Sequence, residues 1–260
     1  MSVVENAVPA RGAPCWMHLM VSDLRRAEAF YASVLGWEFG GSSLGEDDST
    51  AFVDGRPVAG IGVRPPGWDP ATVWTPYFAV EDADLTAARV RERGATVAVG
   101  PLRKGRGRAA LAADRDGAVF GFWEGPTPAW AVEGSAPPRL ELRTRDVFEA
   151  AIFYGEVFSW SGAAGGIEVV YEGERVVVRV SGRPVALLHG GAVETDPDPR
   201  VRPRWVVHFD VEDTGRAAEA AAAAGGAAYP AAPGPGVQGP AYVVRDPEGG
   251  LFTVSPRAGR

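Results

Sequence analysis

The sequence predicts an α+β chain of four successive β-α-β-β-β modules, and three observations predict it. First, HLMVSDLRRAEAFYASVLGW (residues 18–37) returns as ELRTRDVFEAAIFYGEVFSW (residues 141–160), an offset of 123 positions. Second, GRPVAGIG (55–62) returns as GRPVALLH (182–189), and DRDGAVFGF (114–122) as DPEGGLFTV (246–254). Third, each half contains the strand-then-helix pattern twice. Self-similarity of this regularity marks a duplicated architecture.

The elements follow in order. Residues 15–21 alternate as a strand, and 24–35 carry helical spacing behind Asp23 or Ser22 as N-cap. Short strands are expected around 50–53 and 56–63. TPYFAV (75–80) opens the second module, followed by Asp82 and a helix over 84–93 that Gly94 ends. Strands at 96–99, 109–114 and 119–123 close the first half. The second half repeats this with a strand at 139–144, a helix at 147–158 and strands within 167–188. A strand at 205–211 and an alanine-rich helix at 216–224 follow. PTPAWAVEGSAPP carries four prolines and no periodicity, so 127–138 reads as a linker between domains at 12–126 and 139–257.

Bulk properties exclude several function classes. A net charge of −7 disfavours a nucleic-acid surface, which needs clustered Lys and Arg. The one basic run, RKGRGR (103–108), is glycine-broken and reads as a solvated loop. The single Cys15 excludes an intramolecular disulfide and suits a reducing, cytoplasmic setting. The opening residues lack the pattern of a signal peptide, and no run approaches the ~20 apolar residues of a membrane span.

CWMHLMVSDLRRAEAFYASVLGW (15–37), with its D-x-x-x-A-x-x-FY spacing running to GW, resembles the opening strand and helix of the vicinal oxygen chelate superfamily. That superfamily takes in glyoxalase I, fosfomycin and bleomycin resistance proteins and extradiol dioxygenases. The likeness is greatest to its tandem two-domain actinobacterial branch, which includes a mycobacterial glyoxalase-like antigen protein. The resemblance implies two glyoxalase-like domains, each a curved mixed sheet enclosing a cup with helices outside.

The resemblance also implies where a divalent metal would be held. One ligand, usually His, lies seven residues before the Asp that ends the first strand, and a second has the same place in the next module. A Glu lies four residues after the Gly of the D-P-x-G turn. Here those positions hold Trp16, Thr75 and Gly121 in the first half, and Arg139, Val206 and Thr253 in the second. Neither set suits a metal that wants nitrogen and oxygen donors. No family-type metal site and no cofactor are therefore expected. Glu124 lies three residues beyond the family position and on the opposite strand face.

Strand alternation names the residues facing each cup. If Met17, Leu19 and Val21 pack on a helix, Trp16, His18 and Met20 face the cup. The later modules contribute Thr75, Tyr77 and Ala79, then Arg139, Glu141 and Arg143, then Val206, His208 and Asp210. The first cup is aromatic and apolar, with Trp74 and Trp123 added to Trp16, His18 and Tyr77, and Met20 as a further ligand-binding candidate. The second is charged, with His189 as a further member. His18, Glu141 and His208 are the candidate catalytic residues, with Glu141 and His208 as a carboxylate–imidazole dyad or as a structural ion pair. Arg139 and Arg143 suit an anionic oxygen. The Phe30-Tyr31 and Phe153-Tyr154 pairs belong to helices and read as core. Whether module one pairs with module two or with module four stays open.

The favoured function is a metal-independent protein binding a small aromatic or polyketide-like metabolite, for sequestration or self-resistance. The competing reading is a metal-free lyase, isomerase or hydrolase of a secondary metabolite. A metal-dependent glyoxalase or dioxygenase ranks last. The expected partner is a small molecule, with no nucleic acid and no membrane, on a monomer or homodimer.

Overall fold

A computed structural model describes residues 10–67, 71–126, 138–160, 166–191, 202–231 and 239–257. The expected linker falls almost wholly outside them. The first module comprises β1 (Pro14–Val21), α1 (Leu24–Leu35), β2 (Glu38–Ser42), β3 (Gly45–Val53) and β4 (Arg56–Val63). The second comprises β5 (Thr75–Val80), α2 (Ala83–Glu92), β6 (Thr96–Lys104), β7 (Gly107–Ala113) and β8 (Val119–Glu124). The third comprises β9 (Arg139–Arg143), α3 (Val147–Val157), β10 (Ile167–Glu172), β11 (Arg175–Val180) and β12 (Arg183–His189). The fourth comprises β13 (Arg204–Val211), α4 (Thr214–Ala223), β14 (Ala227–Pro230), β15 (Tyr242–Arg245) and β16 (Leu251–Pro256).

The strands form two mixed, curved sheets in the orders β2-β3-β4-β1-β5-β8-β7-β6 and β10-β11-β12-β9-β13-β16-β15-β14. The pairs β1–β4, β5–β8, β9–β12 and β13–β16 are parallel, and the hairpins are antiparallel. The α+β class is as expected.

One aspartate starts every helix. Asp23, Asp82, Asp146 and Asp213 hold extended backbone angles, and their carboxylates accept the amides of Arg26, Leu85, Phe148 with Glu149, and Arg216. Each satisfies backbone donors that the first helical turn leaves without a partner. This explains why the Asp recurs in all four modules.

Two differences from the expected elements are physical. β2 and the first half of β3 run through EFGGS and GEDDST, whose glycines and acids are poor strand formers, so local preference hid them. RKGRGR is not an open loop. It is the tip of the β6–β7 hairpin, where Arg108 makes two hydrogen bonds to Asp84 (2.8 and 2.9 Å) and one to Glu124.

The chain forms two compact units. One joins Met1–Trp16 to Thr75–Trp205, and so holds modules two and three. The other joins Met17–Trp74 to Val206–Arg260, and so holds modules one and four. In the second of these, α1 lies against α4. Its core takes Met17, Leu19, Ile61, Phe252 and Val254, all with no exposure or almost none. In the first, α2 lies against α3 over Phe78, Phe120, Tyr154 and Trp160.

Each unit is held by the same buried chain of hydrogen bonds. In the module-one/four unit, Trp74 Nε1 donates to the Tyr31 hydroxyl (3.1 Å), which donates to Asp246 Oδ2 (2.7 Å). Asp246 Oδ1 accepts the amides of Glu248 and Gly250, both at 2.8 Å. In the other unit, Trp205 Nε1 donates to Tyr154 (3.0 Å), Tyr154 to Asp114 Oδ2 (2.9 Å), and Asp114 Oδ1 accepts the amides of Asp116 and Ala118. Burial raises both tyrosines well above their ordinary range, and the neighbouring Asp charge adds to this. Burial also raises both carboxyls, against the hydrogen bonds they accept.

Removing either hydroxyl leaves a buried carboxylate oxygen and an indole N–H short of a partner. Tyr31→Phe and Tyr154→Phe should each cost about 1–3 kcal/mol in urea unfolding. Matching losses in the two variants would show that the two chains are energetically equivalent.

Candidate functional site

The chemistry-bearing side chains stand on the sheet faces opposite the helices. They are taken unit by unit.

In the module-two/three unit, register sets Tyr77 beside Gly121 and Ala79 beside Trp123, with Leu111 and Ala109 across from them on β7. All six share a face. The Tyr77 ring covers Gly121. A Cβ there would come within 2.3 Å of Tyr77 Cε1 and 2.6 Å of its Cζ. Trp123 covers Gly107 in the same way, at 2.4 Å from a Cβ, and its Nε1 donates to the carbonyls of Gly125 and Pro126. The sequence therefore uses two glycines as floors for two aromatic rings. Trp16, buried at 6% exposure, belongs to the same unit.

Glu124 stands on the other face. Its Oε2 accepts the Ala83 amide at 2.8 Å, holding the start of α2.

The same unit carries a charged face on β9 and β12. Arg143 is in register with His189, and Glu141 with Leu187. Glu141 Oε1 accepts Arg143 Nε at 3.2 Å and lies 3.5 Å from His189 Nδ1. Arg139 is half-buried on this strand. The imidazole set against Glu141 within this unit is thus His189.

In the module-one/four unit, His18 Nε2 lies 3.0 Å from Asp48 Oδ1, and both residues are buried. Register places His18 by Gly60, Met20 by Gly62, and Thr50 and Asp48 across from those glycines. A Cβ on Gly62 would come within 2.6 Å of Asp48 Oδ1 and 3.0 Å of His18 Cε1, so the pair needs a glycine beneath it. A carboxylate only accepts, so Nε2 carries the imidazole proton. On the unit's other strands, His208 is in register with Thr253 and Asp210 with Ser255. His208, Thr253 and Ser255 are buried and Asp210 is exposed.

Trp74 does not face a ligand surface. It is 2% exposed in the core, with its ring 5.3 Å from Tyr31 and from Phe209 and its N–H committed to Tyr31. Strand alternation explains this: Trp74 falls on the helix side with Phe78, opposite Thr75 and Tyr77. Asp48, Thr50 and Ser255 are the polar residues that sequence reasoning passed over. For Asp48 the signal was the alternation of Asp48 and Thr50 with Ser49 and Ala51. Cys15 is buried, which pushes its thiol far above the usual range and leaves it unreactive. Among the described residues, no three His, Cys, Asp or Glu side chains gather closely enough to hold a metal.

Comparison with known proteins places this geometry. The model of the Glyoxalase/Bleomycin resistance protein/Dioxygenase superfamily matches residues 15–122, and that of a glyoxalase-like domain matches 139–255. CFP32 of Mycobacterium tuberculosis is 30% identical over 94% of each chain. The chain belongs to the glyoxalase/bleomycin resistance protein/dioxygenase superfamily. Two members named for anthracycline biosynthesis are also similar. DnrV of Streptomyces peucetius is 32% identical over 94% of this chain and 93% of its own, and DauV of Streptomyces sp. (strain C5) is 34% identical over 78% of each. Among solved structures, the 2,3-dioxygenase LapB from Pseudomonas sp. KL28 superposes with a TM-score of 0.59 at 13% identity, covering 97% of this chain and 94% of that one. The Mn(II)-bound glyoxalase from Novosphingobium aromaticivorans gives 0.55 at 16% identity, covering 95% and 82%. At those identities the likeness is one of fold.

The floor under Tyr77 is directly testable. Gly121→Ala should destabilise the chain by about 1–3 kcal/mol through overpacking. The same substitution in a Tyr77→Ala background should cost almost nothing, a coupling that a double-mutant cycle in urea measures.

Proposed function

We propose that this chain is a metal-independent member of its superfamily that binds a small, planar aromatic metabolite of the polyketide kind, for sequestration or self-resistance. The observation that carries the reading is the Tyr77 ring over Gly121. Where metal-dependent relatives place a glutamate, this chain has a glycine whose outer space an aromatic ring fills. The partner positions, Trp16 and Thr75, and the second-half set of Arg139, Val206 and Thr253, offer no imidazole or carboxylate. The residues present do not fit the family's metal.

The aromatic face suits a flat ligand, because ring stacking rewards planar apolar surface. Trp16, Tyr77 and Trp123 would contact the rings, while Arg139 and Arg143 on the charged face suit anionic oxygens. Two relatives are named for anthracycline biosynthesis, which supports an aromatic polyketide as the ligand class. A net charge of −7 fits a small-molecule partner better than nucleic acid, and one buried cysteine fits a cytoplasmic monomer or homodimer.

A second reading has its own support. The buried His18–Asp48 contact has the geometry of an acid–base dyad. On this reading the chain is a metal-free lyase, isomerase or hydrolase, with His18, Glu141 and His208 moving protons and Met20 and Asp210 lining their strands.

The binding reading is tested by tryptophan quenching with anthraquinone-2-sulfonate. The wild-type chain should show saturable quenching that is unchanged by EDTA, and Tyr77→Ala should weaken the affinity about tenfold, the effect of losing one to two kcal/mol of stacking. Quenching that EDTA abolishes, or none at all, would overturn the proposal.

A further inference from the structure

The repeat supplies an internal control for one exposed surface. The inner face of α3 is buried, yet Phe148 and Ile152 also point outward, at 52% and 54% exposure. Tyr171 of β10, 54% exposed, stacks on Phe148 with ring centroids 6.0 Å apart and planes inclined by 11°. The half-buried Val169 and Ile167 continue the same strand face. The repeat makes Arg25 and Ala29 of α1 the counterparts of Phe148 and Ile152. Register makes Gly41 the counterpart of Tyr171, since Gly41 opposes Ser49 as Tyr171 opposes Val176. A Cβ on Gly41 would meet nothing within 4 Å, so packing does not hold that site small. The module folds with Arg, Ala and Gly at these three places, so Phe, Ile and Tyr are not required by the fold.

A helix that is apolar on both its inner and outer sides is one that a partner covers. The charges beside it select the partner. Arg115 pairs with Glu149 (3.2 Å), Arg93 with Glu156, and Arg145 lies 3.9 Å from Asp116, so both signs alternate along the patch. Such a rim gives no advantage to a partner of one sign, whether nucleic acid or an anionic membrane. A second copy brings the same balanced rim and can set each sign against its opposite. The distribution of net charge agrees. The unit that carries α3 nearly balances its acidic and basic residues, and almost all of the net charge of −7 falls in the other. Two copies therefore meet through α3 with little like-charge repulsion. Phe148 and Tyr171 each expose about 100 Å², half of what such a ring can bury. With Ile152, Val169 and Ile167 the apolar centre comes to about 400 Å², half of the ~800 Å² that each partner gives to a standard interface. The charged rim supplies the remainder.

We propose that α3 and β10 form a homodimer face, on which a second copy of this chain seats its own Phe148, Ile152 and Tyr171 about a two-fold axis. The contact is isologous, so it closes at two copies. The two α3 helices run antiparallel across it, because the Glu156 end of one then meets the N-terminal end of the other. A parallel arrangement would set Glu149 against Glu149. Phe148 and Tyr171 are the energetic centre, since aromatic anchors in a desolvated middle carry most of such an interface. The proposal selects the homodimer from the two states that the functional reading allows, and it holds whichever ligand the aromatic face takes.

Sedimentation equilibrium of the full chain from about 1 to about 200 µM tests it, the range in which an interface of this size dissociates. Wild-type protein should approach the dimer mass at the upper end. Phe148→Arg combined with Ile152→Ala installs the residues that α1 carries at both places. That variant should weaken the dimer about 100-fold while its urea midpoint stays at the wild-type value. Tyr171→Ser alone should weaken it about tenfold. Tyr229→Ala, which removes a ring of similar exposure (52%) from the other unit, should leave the dimer intact. A monomer throughout the range, including one that binds phosphatidylcholine vesicles through Phe148, would overturn the proposal. So would a dimer that survives the double variant. Quenching by anthraquinone-2-sulfonate reads the aromatic face separately. A dimer that fails to quench loses the binding reading alone, and a monomer that quenches loses this proposal alone.

Discussion

The buried indole–hydroxyl–carboxylate chain is the constraint on which the fold rests. An aromatic core alone would tolerate many arrangements of two modules, because apolar burial has no direction. Trp74–Tyr31–Asp246 and Trp205–Tyr154–Asp114 have direction. Each ties a Trp at the start of one module (Trp74 just before β5, Trp205 within β13), the helix of a second and the D-x-x-G turn of a third. A misplaced module would bury a carboxylate without its donors, at a cost comparable to a sizeable part of a domain's stability. The carboxylate in turn closes the turn that leads into the last strand of its module, through two backbone amides. The repeated Phe-Tyr, D-x-x-G and Trp therefore persist for structural reasons, and they leave the opposite sheet faces free to diverge.

Divergence is visible where glycine meets a large side chain. Gly121 and Gly107 give up their side chains to Tyr77 and Trp123, and Gly62 gives up its own to His18 and Asp48. In each case the strand contributes space rather than a group. At Gly121 the space is filled by the Tyr77 ring. At Gly62 it admits an imidazole–carboxylate contact, and at the repeat-equivalent position stands His189, 3.5 Å from Glu141. Two faces of one ancestral design thus acquire different chemistry while the helix sides stay alike.

Much of this was legible in the sequence. The period of the repeat, the Asp caps, the helical Phe-Tyr core and the alternation of β1 all follow from local rules. Other features depend on partners distant in sequence. The sequence groups His189 with Glu141 in the charged set but does not show their contact, because that depends on the parallel β9–β12 register. Asp48 was hidden by the weak strand preference of GEDDST. Trp74 was misread as a ligand contact, although alternation from Thr75 and the matching Trp205 both put it on the helix side. The grouping of module one with four was one of two open pairings, and no local signal separates them.

The functional reading turns on the proposed metal independence of this chain. Manganese(II) titration followed by electron paramagnetic resonance tests it most directly, because only the free aqua ion gives the sharp six-line signal. The account predicts that purified chain, stripped with chelator and then dialysed, leaves that signal undiminished at every ratio. Loss of one equivalent of the signal per chain, restored by Thr75→Ala, would contradict it.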